Sequence, residues 1–144
     1  MNIKRILFPT DFSHTGDKAM QMAESLARDS GAKIIIVHVE EPPTAYGGGE
    51  MYYGMIEPDL AQLKEMLAKV KPSDPQIEYE HHMITGEPSD AIARFADEHQ
   101  VDIIVLGTHG RTGLLRLLMG SVAEAIVRRS KCAVLCVKPP NGEE

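Results

Sequence analysis

The chain has 144 residues, of which 43% are hydrophobic and 25% are charged, and its net charge at pH 7 is −6. This length suits one hydrophobic core, so residues 1–144 are predicted to form a single domain. The acidic balance argues against a broad surface for nucleic acid or an anionic membrane, because such surfaces need clustered lysine and arginine. The acidic net charge is compatible with one small phosphate pocket built from backbone N–H groups.

Neither a secretion signal nor a membrane span is expected. The apolar run Ile6-Leu7-Phe8 stops at Pro9, and no segment approaches the roughly 20 apolar residues that cross a bilayer. We therefore expect a cytoplasmic protein without a membrane partner.

The two cysteines, Cys132 and Cys136, are not expected to pair with each other. On one strand their Cα atoms would be about 13 Å apart. A disulfide needs Cα atoms within about 7 Å, so buried thiols in a reducing compartment are the favoured interpretation.

Hydrophobic patterning predicts strands that alternate with helices. A strand at 4–8 precedes a helix with Ser13 as its N-cap, an apolar stripe at helical spacing and a C-terminal end at Gly31. The β-branched run at 33–39 does not alternate, which predicts a strand buried on both faces. Residues 41–56 contain prolines and three successive glycines, which predict a flexible loop.

The second half of the chain continues the alternation. In chain order it contains a helix around 60–70, an alternating and half-exposed edge strand at 76–84, a helix from Pro88, a buried strand at 101–106, a helix after Ser121, a strand at 133–137 and a tail at 139–144. This order predicts an α/β fold with three layers, in which an open parallel sheet of five strands carries helices on both faces.

The stretch GTHGRTGLLRLLMGS lies between the fourth strand and the last helix. Gly107 and Gly110 have no Cβ, so a ligand can approach their backbone closely. Gly120 and Ser121 open a helix whose first N–H groups are unpaired and whose dipole favours an anion. These features predict a phosphate-binding loop at the carboxyl ends of the strands, where open α/β sheets bind ligands. The alternative is that the glycines serve tight turns and Ser121 only caps its helix.

The spacing of these glycines matches neither the Walker A loop nor the dinucleotide signature G-x-G-x-x-G. Gly107-x2-Gly110-x9-Gly120-Ser121 resembles the nucleotide-binding signature of the universal stress protein family, G-x2-G-x9-G-[S/T]. PTDFS after the first strand, HV at the end of the second and VAEAIVRRSKCAVLCVK near the C-terminus also resemble that family. The resemblance implies an adenine nucleotide alpha hydrolase-like fold with strand order 3-2-1-4-5, which would bring PTD beside the glycine loop.

The resemblance also implies an ATP site, with ADP or AMP as alternative ligands and Mg²⁺ held mainly by the phosphates. Asp11 would accept hydrogen bonds from the ribose hydroxyls, and Val39 would present its backbone to the adenine edge. The other implied positions are Pro9 and Thr10 on the adenosine side, Leu106 and Gly107 over the nucleoside, and Gly110, Gly120, Ser121 and Val122 at the phosphates. For His109, phosphate contact and a solvated side chain both stay open. No protein-made metal site and no catalytic residue are predicted.

A nucleotide-binding regulatory protein of the stress response, with at most slow ATP hydrolysis and an unknown protein partner, is therefore the first interpretation. One alternative is a weak ATPase or phosphotransferase that uses Ser121 or Thr108. Another is a nucleotide-free dimeric scaffold. The apolar strand Ala133–Val137 would present a bare edge, and relatives pair through this strand, so a homodimer is predicted there.

Two further interpretations concern single side chains. His38 lies on a buried strand and is interpreted as a core histidine with its hydrogen bonds satisfied. Arg128 and Arg129 are interpreted as a solvated helix end.

Overall fold

The computed structural model describes residues 2–13, 16–41, 59–107 and 121–138. Strands and helices alternate along these residues as predicted, with boundaries that differ from the prediction by a few residues. The strands are β1 (Arg5–Pro9), β2 (Lys33–Glu40), β3 (Tyr79–Thr85), β4 (Ile103–Gly107) and β5 (Ala133–Val137). The helices are α1 (Gly16–Ser30), α2 (Leu60–Ala68), α3 (Pro88–Glu98) and α4 (Ser121–Arg129).

The five strands form one parallel sheet in the order β3-β2-β1-β4-β5, which confirms the predicted topology. The chain moves outward from β1 through β2 to β3 and then returns to β4 on the other side of β1. Strand order therefore reverses between β1 and β4. In open α/β sheets, this reversal creates the crevice in which ligands bind.

Helices cover both faces of the sheet. Ile6 and Phe8 pack in the core that α1 and α2 cover, whereas Leu7 packs in the core that α3 and α4 cover. Successive side chains of a strand point to opposite faces, so a central strand of a covered sheet is apolar on both sides. Burial on both faces explains why apolar and polar residues do not alternate along β2. Ile34 and Ile36 face one core, and Ile35 and Val37 face the other.

Helix ends follow local chemistry. Gly31 has φ 77°, the left-handed conformation predicted for the end of α1. Pro88 occupies the first turn of α3, as predicted. The Ser13 carbonyl accepts the Gly16 N–H at 3.2 Å. Residues 14 and 15 lie outside the described residues, so Ser13 as the N-cap of α1 stays a prediction.

The two edges of the sheet differ in charge. On β3, which is the predicted half-exposed edge strand, Glu80 contacts His82 and lies 2.5 Å from Lys33 Nζ. The hydrogen bonds from His82 and then from Lys33 lower the pKa of Glu80. On β5 four of the five apolar residues are only half-buried. Charged edges resist pairing with other strands, and apolar edges do not.

Neither Cys132 nor Cys136 forms a disulfide, and burial raises the pKa of both thiols. Arg128 and Arg129 are both exposed, by 76% and 52% of their side chains, which confirms the prediction of a solvated helix end. Each also makes an ion pair, Arg128 with Glu124 at 3.2 Å and Arg129 with Glu87 on the α3 side at 2.9 Å. Within the described ranges, no helix is long and apolar enough to cross a membrane.

Candidate functional site

The carboxyl ends of β1, β2 and β4 meet at one edge of the sheet, because the three strands are parallel neighbours. Pro9 pairs with Val37 of β2. On its other side, β1 pairs Ile6 with Ile103 and Leu7 with Ile104 of β4. The residues that follow β1 therefore leave the sheet between the ends of β2 and β4.

The segment after β1 is a tight turn held by its own polar side chains. Thr10 Oγ1 accepts the Phe12 N–H at 3.0 Å, and Asp11 Oδ1 accepts the Ser13 N–H at 2.9 Å. Phe12 has φ 69°, a left-handed conformation that bulky residues seldom adopt. The bond from the Ser13 N–H orients the Asp11 carboxylate through Oδ1.

His38 of β2 lies directly behind this turn. It is only 6% exposed, its Nδ1 lies 2.8 Å from the Thr10 carbonyl oxygen, and its ring centroid lies 4.3 Å from that of Phe12. A carbonyl only accepts, so Nδ1 carries the hydrogen. The interpretation of His38 as a satisfied core histidine is confirmed. The sequence analysis did not predict its contact with Thr10. The contact follows from the strand register, because His38 comes directly after Val37, which pairs with Pro9.

The end of β2 is fixed by its other neighbour. Val39 is half-buried against the α3 and α4 core and pairs with Ile84 of β3. The Glu40 carbonyl accepts the Gly86 N–H at 3.1 Å, and Gly86 has φ 146°, which favours glycine. The backbone at Val39 is therefore held on the β3 side, at the position where the resemblance puts the adenine edge.

Glu87, which follows Gly86, caps α3. Its side chain accepts the N–H groups of Ser89 and Asp90 at 2.9 and 3.1 Å. Burial pushes the pKa of Glu87 upward, but hydrogen bonds from Ser89, Asp90 and Arg129 outweigh it and lower the pKa. Glu87 is therefore a charged structural cap near the end of β2.

β4 ends at Gly107, which pairs with Val137 of β5, and Leu106 before it is buried. The next described residue, Ser121, is the first residue of α4 and is exposed, as is Val122. Residues 108–120 lie outside the described residues, so Ser121 as the N-cap of α4 stays a prediction. The N–H groups of a first helical turn have no partner within the helix, which is the property that the phosphate prediction requires of Ser121 and Val122.

The structure brings together most of the predicted positions that it describes. They are Pro9 at the end of β1, Thr10 and Asp11 after it, Val39 on β2, and Leu106 and Gly107 at the end of β4. Ser121 and Val122 begin the helix that follows β4 in the described chain. Three predicted residues, His109, Gly110 and Gly120, lie outside the described residues, as do 42–56 of the predicted loop and the tail 139–144. In the described parts of the chain, no three His, Cys, Asp or Glu side chains are placed to hold a metal ion.

A parallel sheet of order 3-2-1-4-5 with helices on both faces and a tight turn at its reversal point defines a doubly wound α/β protein. The chain belongs to the universal stress protein family, whose sequence model matches residues 2–138. It is 33% identical over 147 residues to a universal stress protein of Methanocaldococcus jannaschii. The alignment covers 97% of this chain and 85% of the relative.

Two similar solved structures contain nucleotides. One is a universal stress protein in complex with cAMP, 29% identical, with a TM-score of 0.69 and coverage of 96% of this chain and 99% of that one. The other is the universal stress protein from Archaeoglobus fulgidus in complex with dAMP. It is 27% identical, with a TM-score of 0.66 and coverage of 96% of this chain and 100% of that one.

Proposed function

We propose that this protein binds an adenine nucleotide, with ATP as the main ligand and ADP and AMP as alternatives, at the edge where β1, β2 and β4 end. The observation that carries the proposal is the placement of Asp11 at the reversal of strand order, with its carboxylate oriented by the Ser13 N–H at 2.9 Å. Family membership supports it, as do the cAMP and dAMP complexes of two similar proteins.

In this proposal the nucleoside lies across the ends of three strands. Asp11 Oδ2 accepts hydrogen bonds from the ribose hydroxyls, and the backbone of Val39 contacts the adenine edge. Pro9 and Thr10 form the floor on the β1 side. Leu106 and Gly107 close the opposite side, where the missing Cβ of glycine leaves room for the ligand.

The phosphates would occupy the other half of the site. Ser121 and Val122 offer first-turn N–H groups of α4, and the helix dipole favours an anion there by about 0.3–1 kcal/mol. Gly110 and Gly120 complete the predicted cradle. For His109, phosphate contact and a solvated side chain are the two alternatives. Mg²⁺ would bind chiefly to the phosphate oxygens and water rather than to side chains of this chain.

We assign the nucleotide a regulatory role in the stress response, in the cytoplasm. Bound ATP would stabilise one conformation, which a protein partner would recognise, and hydrolysis would be slow at most. The enzyme alternative, a weak ATPase or phosphotransferase, requires that the wild-type protein turn over ATP well above the background rate. The scaffold alternative requires that the protein bind no nucleotide.

Titration calorimetry of the folded protein with ATP, ADP, AMP and GTP tests the proposal. We expect ATP to bind with a dissociation constant on the order of micromolar, equivalent to about 8 kcal/mol. GTP, the control, should bind much more weakly, because its base presents a different edge to Val39. Absence of binding by ATP, ADP and AMP would favour the scaffold, whereas rapid ATP turnover that requires Asp11 would favour the enzyme.

We also propose a homodimer through β5. The central residue of that strand, Leu135, is half-buried in the single chain, and the β5 edge is apolar from Ala133 to Val137. Pairing with a second copy would cover this edge, whereas the opposite edge strand, β3, carries Glu80, which pairs with Lys33 of β2.

Leu135→Lys is expected to convert a dimer into a monomer, because a charged side chain at a strand edge opposes pairing. Light scattering at micromolar concentration measures the mass, and circular dichroism checks the fold. Tyr79→Lys is the matched control, because Tyr79 is 41% exposed on the opposite edge strand and its replacement should leave the dimer intact. A wild-type protein that is monomeric in this measurement would refute the dimer.

A further inference from the structure

We infer that His38 is a positioning residue for nucleotide binding, which orients Asp11 by holding the carbonyl group of Thr10. The inference rests on the proposed function and assigns a role to a residue that the nucleotide itself need not touch. It goes beyond the interpretation of His38 as a core histidine, because it predicts that the contact with Thr10 changes ligand affinity.

Two adjacent residues of β2 hold the peptide groups on either side of Thr10. The Thr10 N–H donates to the Val37 carbonyl at 2.8 Å, and the Thr10 carbonyl accepts from His38 Nδ1 at 2.8 Å. The carbonyl of Thr10 and the N–H of Asp11 belong to one planar peptide unit. The hydrogen bond from His38 therefore sets the orientation of the plane from which the Asp11 side chain departs.

His38 also supports the residue after Asp11. Phe12 has φ 69°, and its ring packs on the His38 ring with a centroid separation of 4.3 Å and an interplanar angle of 32°. Residues in sparsely populated backbone conformations persist only where their surroundings hold them, and they concentrate at functional sites. The imidazole thus contacts the turn on both sides of Asp11.

The burial of His38 points to a specific role for its polar atom. The four residues before it on β2, Ile34 to Val37, are apolar and buried, and His38 is itself 6% exposed. A polar group in such a place is costly unless it is hydrogen-bonded. An apolar side chain would fill the core without that cost, but it would leave the Thr10 carbonyl without its donor.

Two variants separate the hydrogen bond from the ring. His38→Phe keeps an aromatic ring against Phe12 and removes the donor, whereas His38→Asn places an amide N–H near the position of Nδ1 and removes the ring. We expect His38→Phe to weaken ATP binding about tenfold, the effect of losing one well-formed hydrogen bond. His38→Asn should stay within about threefold of the wild type, because it restores the donor.

The control is a second strand histidine with the same kind of bond. His81 Nε2 lies 2.7 Å from the Val70 carbonyl, on β3 and away from the turn. His81→Phe should lower the stability, as His38→Phe does, and leave the affinity for ATP unchanged. An equal loss of affinity in both variants would show that general destabilisation is the cause and would overturn the inference.

A double-mutant cycle with Asp11→Ala tests whether His38 acts through Asp11. If it does, His38→Phe should change ATP affinity by less than about threefold once Asp11 is absent, since residues that act through one contact are not additive. Full additivity of the two losses would overturn the inference. A general packing effect of His38 would not produce the non-additivity.

One measurement on the wild-type protein does not depend on whether the variants fold. The ¹⁵N resonances of the imidazoles should show His38 as the Nδ1–H tautomer, and ATP should shift the His38 resonances and not those of His81. A His38 signal that ignores saturating ATP would overturn the inference while the proposed function stands. Failure of the wild-type protein to bind any adenine nucleotide would instead contradict the proposed function itself.

Discussion

Asp11→Ala is expected to weaken ATP binding by about 10- to 100-fold, because a hydrogen bond to a charged group contributes about 1.5–3 kcal/mol. The loss follows from the proposed contact between Asp11 Oδ2 and the ribose hydroxyls. Titration calorimetry at constant ionic strength measures it, with thermal unfolding as the check on the fold. An affinity within about twofold of the wild type would contradict the proposed site.

Asp11→Asn separates the ligand contact from the turn. Asparagine keeps an Oδ1 that can accept the Ser13 N–H, now held at 2.9 Å, but replaces the second carboxylate oxygen by a donor. Its affinity should fall nearly as far as that of Asp11→Ala, while its stability stays closer to the wild type. Asp17→Ala is the matched control, because Asp17 is an exposed acidic residue in the first turn of α1.

Ile36→Ala is expected to lower the free energy of unfolding by about 2–5 kcal/mol, because it removes buried methyl groups and leaves a cavity. Ile36 has 0% exposure and packs in the core between the sheet and α1. Urea unfolding measures the loss. If the slope of the free energy of unfolding against urea concentration is unchanged, the denatured state is the same in both proteins.

The matched control for Ile36 is Leu60→Ala, at the start of α2. Leu60 is 47% exposed, so its truncation should change the stability by no more than about 0.5 kcal/mol. Similar losses in the two variants would contradict the placement of Ile36 in the core.

The helix starts show where local reasoning ends. The sequence predicted that helices begin near Ser13 and Ser121, and the described helices α1 and α4 start at Gly16 and Ser121. A cap depends on a single position, and the residues just before both helices lie outside the described parts of the chain.

The sequence by itself determined the alternation of strands and helices, the double burial of β2 and the family, because hydrophobic spacing and glycine spacing are local properties. It also placed Asp11 and Val39 at strand ends. The strand order came from the family resemblance, and the sheet confirms it.

Only the tertiary structure decided which side chains meet at those strand ends. His38 contacts Thr10 across 28 positions of sequence, and Arg129 contacts Glu87 across 42. Such contacts depend on the register between neighbouring strands and on the packing of helices over them. No local pattern encodes that geometry, because it arises only when distant segments are brought together to bury their apolar faces.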